Sequence, residues 1–175
     1  MQTRRIKSGL ECKTDEMGKT FRHYIRLLEQ DKNPPKDNFM KRTAKAHWEG
    51  NLKEGNGTLT TQSNVLKDTP YSFHIRFEDG AGTNPEELLA AAHAGCFTMQ
   101  IGADLGKQGK NPERLDTEAT LTLENLMITN IHLKITGRVP GLTAEEFTAV
   151  TKDAEQNCII SKALSMTITS EAVLD

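Results

Sequence analysis

The chain has 175 residues, 36% of them hydrophobic, and 22 Lys/Arg set against 24 Asp/Glu give a formal net charge of −2. That length suits one domain with an appendage and can bury a sizeable core, while the near-neutral charge argues against a general nucleic-acid or membrane-surface binder. No apolar run approaches the roughly 20 residues of a membrane span, and "IKSGLECKTDE" after Arg4-Arg5 offers no apolar signal-peptide core, so a soluble cytoplasmic protein is expected.

Residues 1–39 carry nine Lys/Arg and six Asp/Glu, leaving thirteen against eighteen for residues 40–175. The two regions meet at "DKNPPKDNFMKRTAKAHW", where Pro34-Pro35 breaks a helix and stiffens a linker. We therefore expect an N-terminal extension, 1–39, and a main domain, 40–175. Within the extension Phe21, Tyr24, Ile25 and Leu28 fall at i, i+3, i+4 and i+7, the spacing of a short amphipathic helix.

From Ala44 the pattern turns to strands. "AKAHWEG" puts Ala44, Ala46 and Trp48 on one face, and "EGNG" (54–57) reads as a turn into "TLTTQS". "YSFHIRFE" alternates, with Tyr71, Phe73, Ile75 and Phe77 one way and Ser72, His74, Arg76 and Glu78 the other, so a strand is expected. A helix follows over about 84–105. Asn84 is its N-cap, Pro85 takes the first position where no N–H is needed, and Glu86-Glu87 complement the dipole. Its body, "LLAAAHAGCFTMQIGA", is apolar on nearly every face and so should be buried all round, with Ala and Gly95 letting another backbone come close.

"TEATLTLE" and "ITNIHLKITGRV" then read as antiparallel strands. A second helix is expected over 144–157, opened by a Thr143–Glu146 capping box with Leu142 stapled to Phe147. A turn of helix at "SKAL" and a last strand at "MTITSEAV" complete the chain. Strands interrupted by two long helices indicate an α+β protein, not a doubly wound parallel sheet.

The chemistry centres on cysteine. Cys12, Cys96 and Cys158 are odd in number and widely spaced, which argues against a structural disulfide framework. No CxxC or HExxH motif signals a metal. Cys96 sits in the middle of the first long helix. Phe147, Val150, Ala154 and Cys158 recur at spacings of three and four, so Cys158 extends the core-facing stripe of the second. Both thiols should point inward and can meet, whereas Cys12 lies in a polar stretch of the extension.

Apolar surroundings alone keep a thiol neutral, so a reactive pair needs a cation. Arg76 is the candidate, because a guanidinium stays charged and donates several hydrogen bonds at once; on pattern alone it is an ordinary solvated strand residue. His93, three residues before Cys96, reads as packing, and His47 and His74 as structural.

"AHWEG" (46–50), "YSFHIRFEDGAGTNPEELLAAAHAGCF" (71–97), "VPG" (139–141) and "NCIISKAL" (157–164) together resemble the OsmC family, relatives of the organic hydroperoxide resistance proteins. The similarity spans essentially 40–175, and its long central motif is specific. The resemblance implies an α+β fold of antiparallel sheets packed around two buried cysteine-bearing helices. It also implies an intertwined homodimer with active sites at the subunit interface. The implied activity is thiol-dependent reduction of organic hydroperoxides, less efficiently of hydrogen peroxide, with no metal or bound cofactor.

By position, Cys96 matches the peroxidatic cysteine, Cys158 the resolving cysteine, Arg76 the activating arginine and Glu86 the glutamate that holds it. An external dithiol or lipoyl-type donor would restore the dithiol. Ile159 stands where the family has proline after the second cysteine, which predicts a helix that continues past Cys158. Glu86 precedes Cys96 by ten residues, a helical rise of about 15 Å, so either Arg76 spans towards both or Glu86 comes from the partner subunit, and we expect the second. Leu89, Ala92, Phe97 and Met99 are the expected apolar setting for a bulky hydroperoxide. The alternatives on the same fold are a redox sensor that does not turn over and a binder of small apolar ligands.

Overall fold

A computed structural model describes residues 40–78 and 80–175. The expected helix around Phe21–Leu28, Cys12 and the rest of the 1–39 extension lie outside those residues. Among the described residues, no helix is long and apolar enough to cross a membrane.

The first three strands, β1 (Ala44–Glu49), β2 (Asn56–Thr61) and β3 (Thr69–Ser72), form an antiparallel sheet in the order β1-β2-β3. Trp48, Gly57 and Tyr71 are cross-strand partners in one row, and the two aromatic rings close over the glycine at 5.3 Å between centroids. A Cβ at Gly57 would fall 2.6 Å from the Tyr71 ring, so only glycine fits. The β1–β2 turn lies slightly earlier than expected: Gly50 adopts φ +87°, and the Asn51 side chain accepts from the amides of Lys53 and Glu54.

The expected strand over 71–78 stops at Ser72. Residues Phe73–Phe77 instead form a short helix, α1, whose N-cap Ser72 accepts from the Ile75 amide at 3.1 Å. The alternating pattern was ambiguous because positions 73 and 77 are also four apart. The two phenylalanine rings pack at 4.8 Å across that helical turn, tilted by 52°.

Helix α2 (Pro85–Lys107) begins as the sequence indicates, with the Asn84 side chain accepting from the Glu87 amide at 2.7 Å. It is not buried all round. His93, Phe97, Ile101 and Leu105 face the core, while Ala91, Ala92, Gly95, Met99 and Ala103 are exposed, Met99 by 77%. A helix apolar on every face led to that expectation, but the described residues pack against only one side of it.

β4 (Arg114–Glu124) and β5 (Met127–Arg138) make an antiparallel hairpin through a two-residue turn, Asn125 and Leu126, both at positive φ. Helix α3 (Ala144–Asn157) carries the complete capping box, with Thr143 and Glu146 each bonding the other's backbone amide. After it come α4 (Ile159–Ala163) and β6 (Thr167–Leu174).

β6 runs parallel to β5, so the second sheet, β4-β5-β6, is mixed where antiparallel pairing was expected. The cause is the connection: a helical crossover returns the chain to the same end of the sheet, whereas a tight turn would reverse it. Core packing joins Phe97, Ile101 and Leu105 of α2, Leu133 and Ile135 of β5, and Phe147, Val150 and Ala154 of α3, with Cys158 inside the same cluster. No described residue of β1, β2 or β3 enters it.

Candidate active site

Cys96 is half-buried on α2, next to the buried Phe97 and one turn beyond the buried His93. Cys158 is fully buried and continues the inward stripe of Phe147, Val150 and Ala154. The Cys158 thiol donates to the Cys96 sulfur at 2.8 Å, and both cysteines are free. A disulfide needs about 2.05 Å between sulfurs, so oxidation has to close less than an ångström. Burial pushes the Cys158 thiol up from its ordinary pKa and the neighbouring Cys96 thiol adds to this, while the amides of Ser161 and Ile160 pull the other way.

Cys158 stands at a break in the chain. It ends α3 and caps α4 with φ −55° and ψ 137°, outside the helical region. The helix therefore does not run on past Cys158, contrary to the expectation from Ile159. Ile159 occupies the first position of α4, the place in a helix where proline and other residues are interchangeable because the amide has no intrahelical partner.

Arg76 and Glu86 meet within one chain. The guanidinium grips the carboxylate in a fork: Nε donates to both oxygens at 3.1 and 3.0 Å, and a terminal nitrogen donates to Oε1. The pairing of Glu86 with Arg76 is thus made within one chain and leaves open which chain brings the pair to Cys96. The helical turn of α1 makes it possible, because it swings Arg76 back towards the first turn of α2. The four residues singled out in the sequence thus form two pairs, Cys96–Cys158 and Arg76–Glu86. Ten residues of α2, about 15 Å of rise, separate Glu86 from Cys96.

Beside Arg76 and Glu86 lies a groove of about 530 Å³ walled by Leu123, Leu126, Met127, Ile128 and Met166. The expected apolar setting divides differently: Phe97 is consumed by the core, whereas Ala92 and Met99 face outward. The groove residues went unnoticed in the sequence because the hairpin tip and the stretch before β6 only become neighbours through the mixed sheet.

His93 is fully buried, and its Nε2 lies 2.8 Å from the Ser161 hydroxyl. Ser161 carried no sequence signal beyond its place three residues after Cys158. His47 and His74 are exposed and lie near Glu49 and Glu78 respectively. Among the described residues, no group of three or more His, Cys, Asp or Glu is placed to hold a metal ion.

Residues 78–172 match the family model for OsmC-like proteins. The chain is 44% identical to peroxiredoxin OsmC of Escherichia coli over 128 residues, which is 71% of this chain and 90% of that protein. It is 26% identical to the uncharacterized protein YmaD of Bacillus subtilis, over 69% of this chain and 83% of that one. Among solved structures, an OsmC-like protein of unknown function from Vibrio cholerae superposes with a TM-score of 0.64 at 17% identity, covering 77% of this chain and all of the other. An organic hydroperoxide resistance protein OsmC from Legionella pneumophila superposes with a TM-score of 0.59 at 22% identity, covering 79% and 99%. These two likenesses bear on the fold.

Proposed function

The chain belongs to the OsmC family and is a peroxidase of the peroxiredoxin kind, and from that premise we propose that it reduces organic hydroperoxides through Cys96 and Cys158, with Arg76 held by Glu86 as the activating cation. The observation that carries this reading is the 2.8 Å thiol–thiol contact at the edge of the core.

In the first step the Cys96 thiolate attacks the distal oxygen of R–O–OH. The O–O bond breaks, Cys96 becomes a sulfenic acid, and the departing alkoxide takes a proton to leave as the alcohol. Arg76 supplies positive charge where the oxygens become anionic. In the second step the Cys158 sulfur displaces hydroxide from Cys96–SOH, giving the disulfide and water. An external dithiol then reduces the disulfide by exchange, itself becoming oxidised.

Arg76 meets Cys96 when a second copy of the chain brings its own Arg76–Glu86 pair to the cysteines. Two features of a single chain support that homodimer. The small-residue face of α2 around Gly95 is uncovered, and a Cβ added at Gly95 would touch nothing within 4 Å. The first sheet contributes nothing to the core. Organic substrates suit the arrangement because the groove beside Arg76 is walled by aliphatic and methionine side chains.

Two assays test the reading. Cumene hydroperoxide with a dithiol donor should be consumed steadily by the wild type and not by Cys96→Ala. One equivalent of the same hydroperoxide without donor should remove two hydrogens from the intact protein and link Cys96 to Cys158. A single stoichiometric oxidation without turnover would instead make the protein a sensor, and no thiol loss would make it a binder.

A further inference from the structure

Two contacts tie the same two segments together at matching offsets. Cys96 and His93 lie one helical turn apart on α2, while Cys158 and Ser161 are equally spaced across the start of α4. The thiols meet at 2.8 Å, and the imidazole meets the hydroxyl at 2.8 Å. The first contact changes with oxidation state. The second does not.

His93 is an expensive occupant of its position. It is fully buried, and its Nδ1 has no hydrogen-bond partner among the described residues. A buried polar atom without a partner costs more than an apolar side chain of the same shape. What the imidazole provides in return is the bond to Ser161, itself 6% exposed. Burial lowers the imidazole pKa, so the ring is neutral near pH 7. Whichever partner donates, a neutral imidazole and a hydroxyl can hold each other.

The segment so held needs holding. Cys158 sits at the non-helical joint between α3 and α4, and α4 is only five residues long with no side-chain bond at its N-cap. Oxidation of Cys96 adds an oxygen to a sulfur already 2.8 Å from its neighbour, and Cys158 can displace that oxygen only while it stays in line behind the S–O bond.

We infer that His93 is a positioning residue for the resolving step: through Ser161 it keeps α4, and with it Cys158, docked against α2 while Cys96 is a sulfenic acid. This rests on the peroxidase reading above. The sulfenic acid has two fates. Condensation with the Cys158 thiol yields the disulfide and water; attack on a second hydroperoxide yields the sulfinic acid and an alcohol. The His93–Ser161 contact sets the effective concentration of Cys158 at Cys96 and therefore the partition between them.

The test is intact-protein mass spectrometry after rapid mixing with increasing cumene hydroperoxide and no reductant, scoring disulfide against sulfinic acid. Ser161→Ala, which removes one oxygen, should raise the ratio of sulfinic acid to disulfide about fivefold at a given peroxide concentration, the factor set by one ordinary hydrogen bond. His93→Gln, whose amide reaches the same hydroxyl, should partition like the wild type. Combining His93→Leu with Ser161→Ala should add little beyond Ser161→Ala alone, because both remove one contact. A wild-type partition in Ser161→Ala, or additive effects in the double variant, would overturn the inference. A wild type that forms neither product would instead overturn the peroxidase reading.

Discussion

The side chains that matter most are those whose environment is at odds with their polarity. His93 is fully buried, and burial depresses its pKa below the ordinary imidazole value. The unfolded chain therefore binds a proton that the folded chain resists. The stability His93 contributes is complete above about pH 6.5 and falls as the pH drops below it, by at most about 1.4 kcal/mol per pH unit. Denaturation titrations from pH 7.5 to 5 should show a shallower loss of stability for His93→Gln than for wild type; parallel curves would mean that His93 protonates as readily folded as unfolded. At this scale the cysteine pair was legible, because Cys158 continues a stripe of three buried α3 residues at helical spacing. The Arg76–Glu86 fork was legible as two residues but not as an intrachain contact, since that depends on the turn taken by the chain between them.

Single elements were readable where their ends carry local chemistry. The Asn84 cap and the Thr143–Glu146 box are complete in the structure because each involves residues three apart. Residues 73–77 were not readable, because their apolar spacing satisfied a strand and a helical turn equally. The direction of β6 followed from the α3–α4 crossover rather than from its own alternation. The β4–β5 turn shows a conflict between stability and use. Leu126 holds φ +60°, a left-handed conformation that costs an ordinary residue about 1–2 kcal/mol, and it is 77% exposed at the rim of the Arg76 groove. Leu126→Gly creates the Asn-Gly pair favoured in such turns. It should raise stability by about 1 kcal/mol in chemical denaturation while lowering kcat/KM for cumene hydroperoxide more than for hydrogen peroxide. Equal effects on both peroxides would remove Leu126 from substrate binding.

At the scale of the whole molecule, the four residues of the proposed site lie in two separate pairs. Cys96 and Cys158 share the core edge, Arg76 and Glu86 share the N-terminal end of α2, and that helix keeps them apart. The apolar length of α2 led to the expectation of complete burial, yet Ala91, Ala92, Gly95, Met99 and Ala103 are exposed, which is one support for the proposed homodimer. An incomplete core contribution from the first sheet points the same way. The direct measurement is turnover of mixed dimers, isolated through two different tags, that pair a Cys96→Ser chain with an Arg76→Ala chain. If each site joins the cysteines of one copy to the arginine of the other, both defects fall in one site, the second site is intact, and the mixed dimer retains about half of wild-type activity. Loss of activity in the mixed dimer to the level of either doubly defective homodimer would place Arg76 and Cys96 of the same chain in one site and contradict the account.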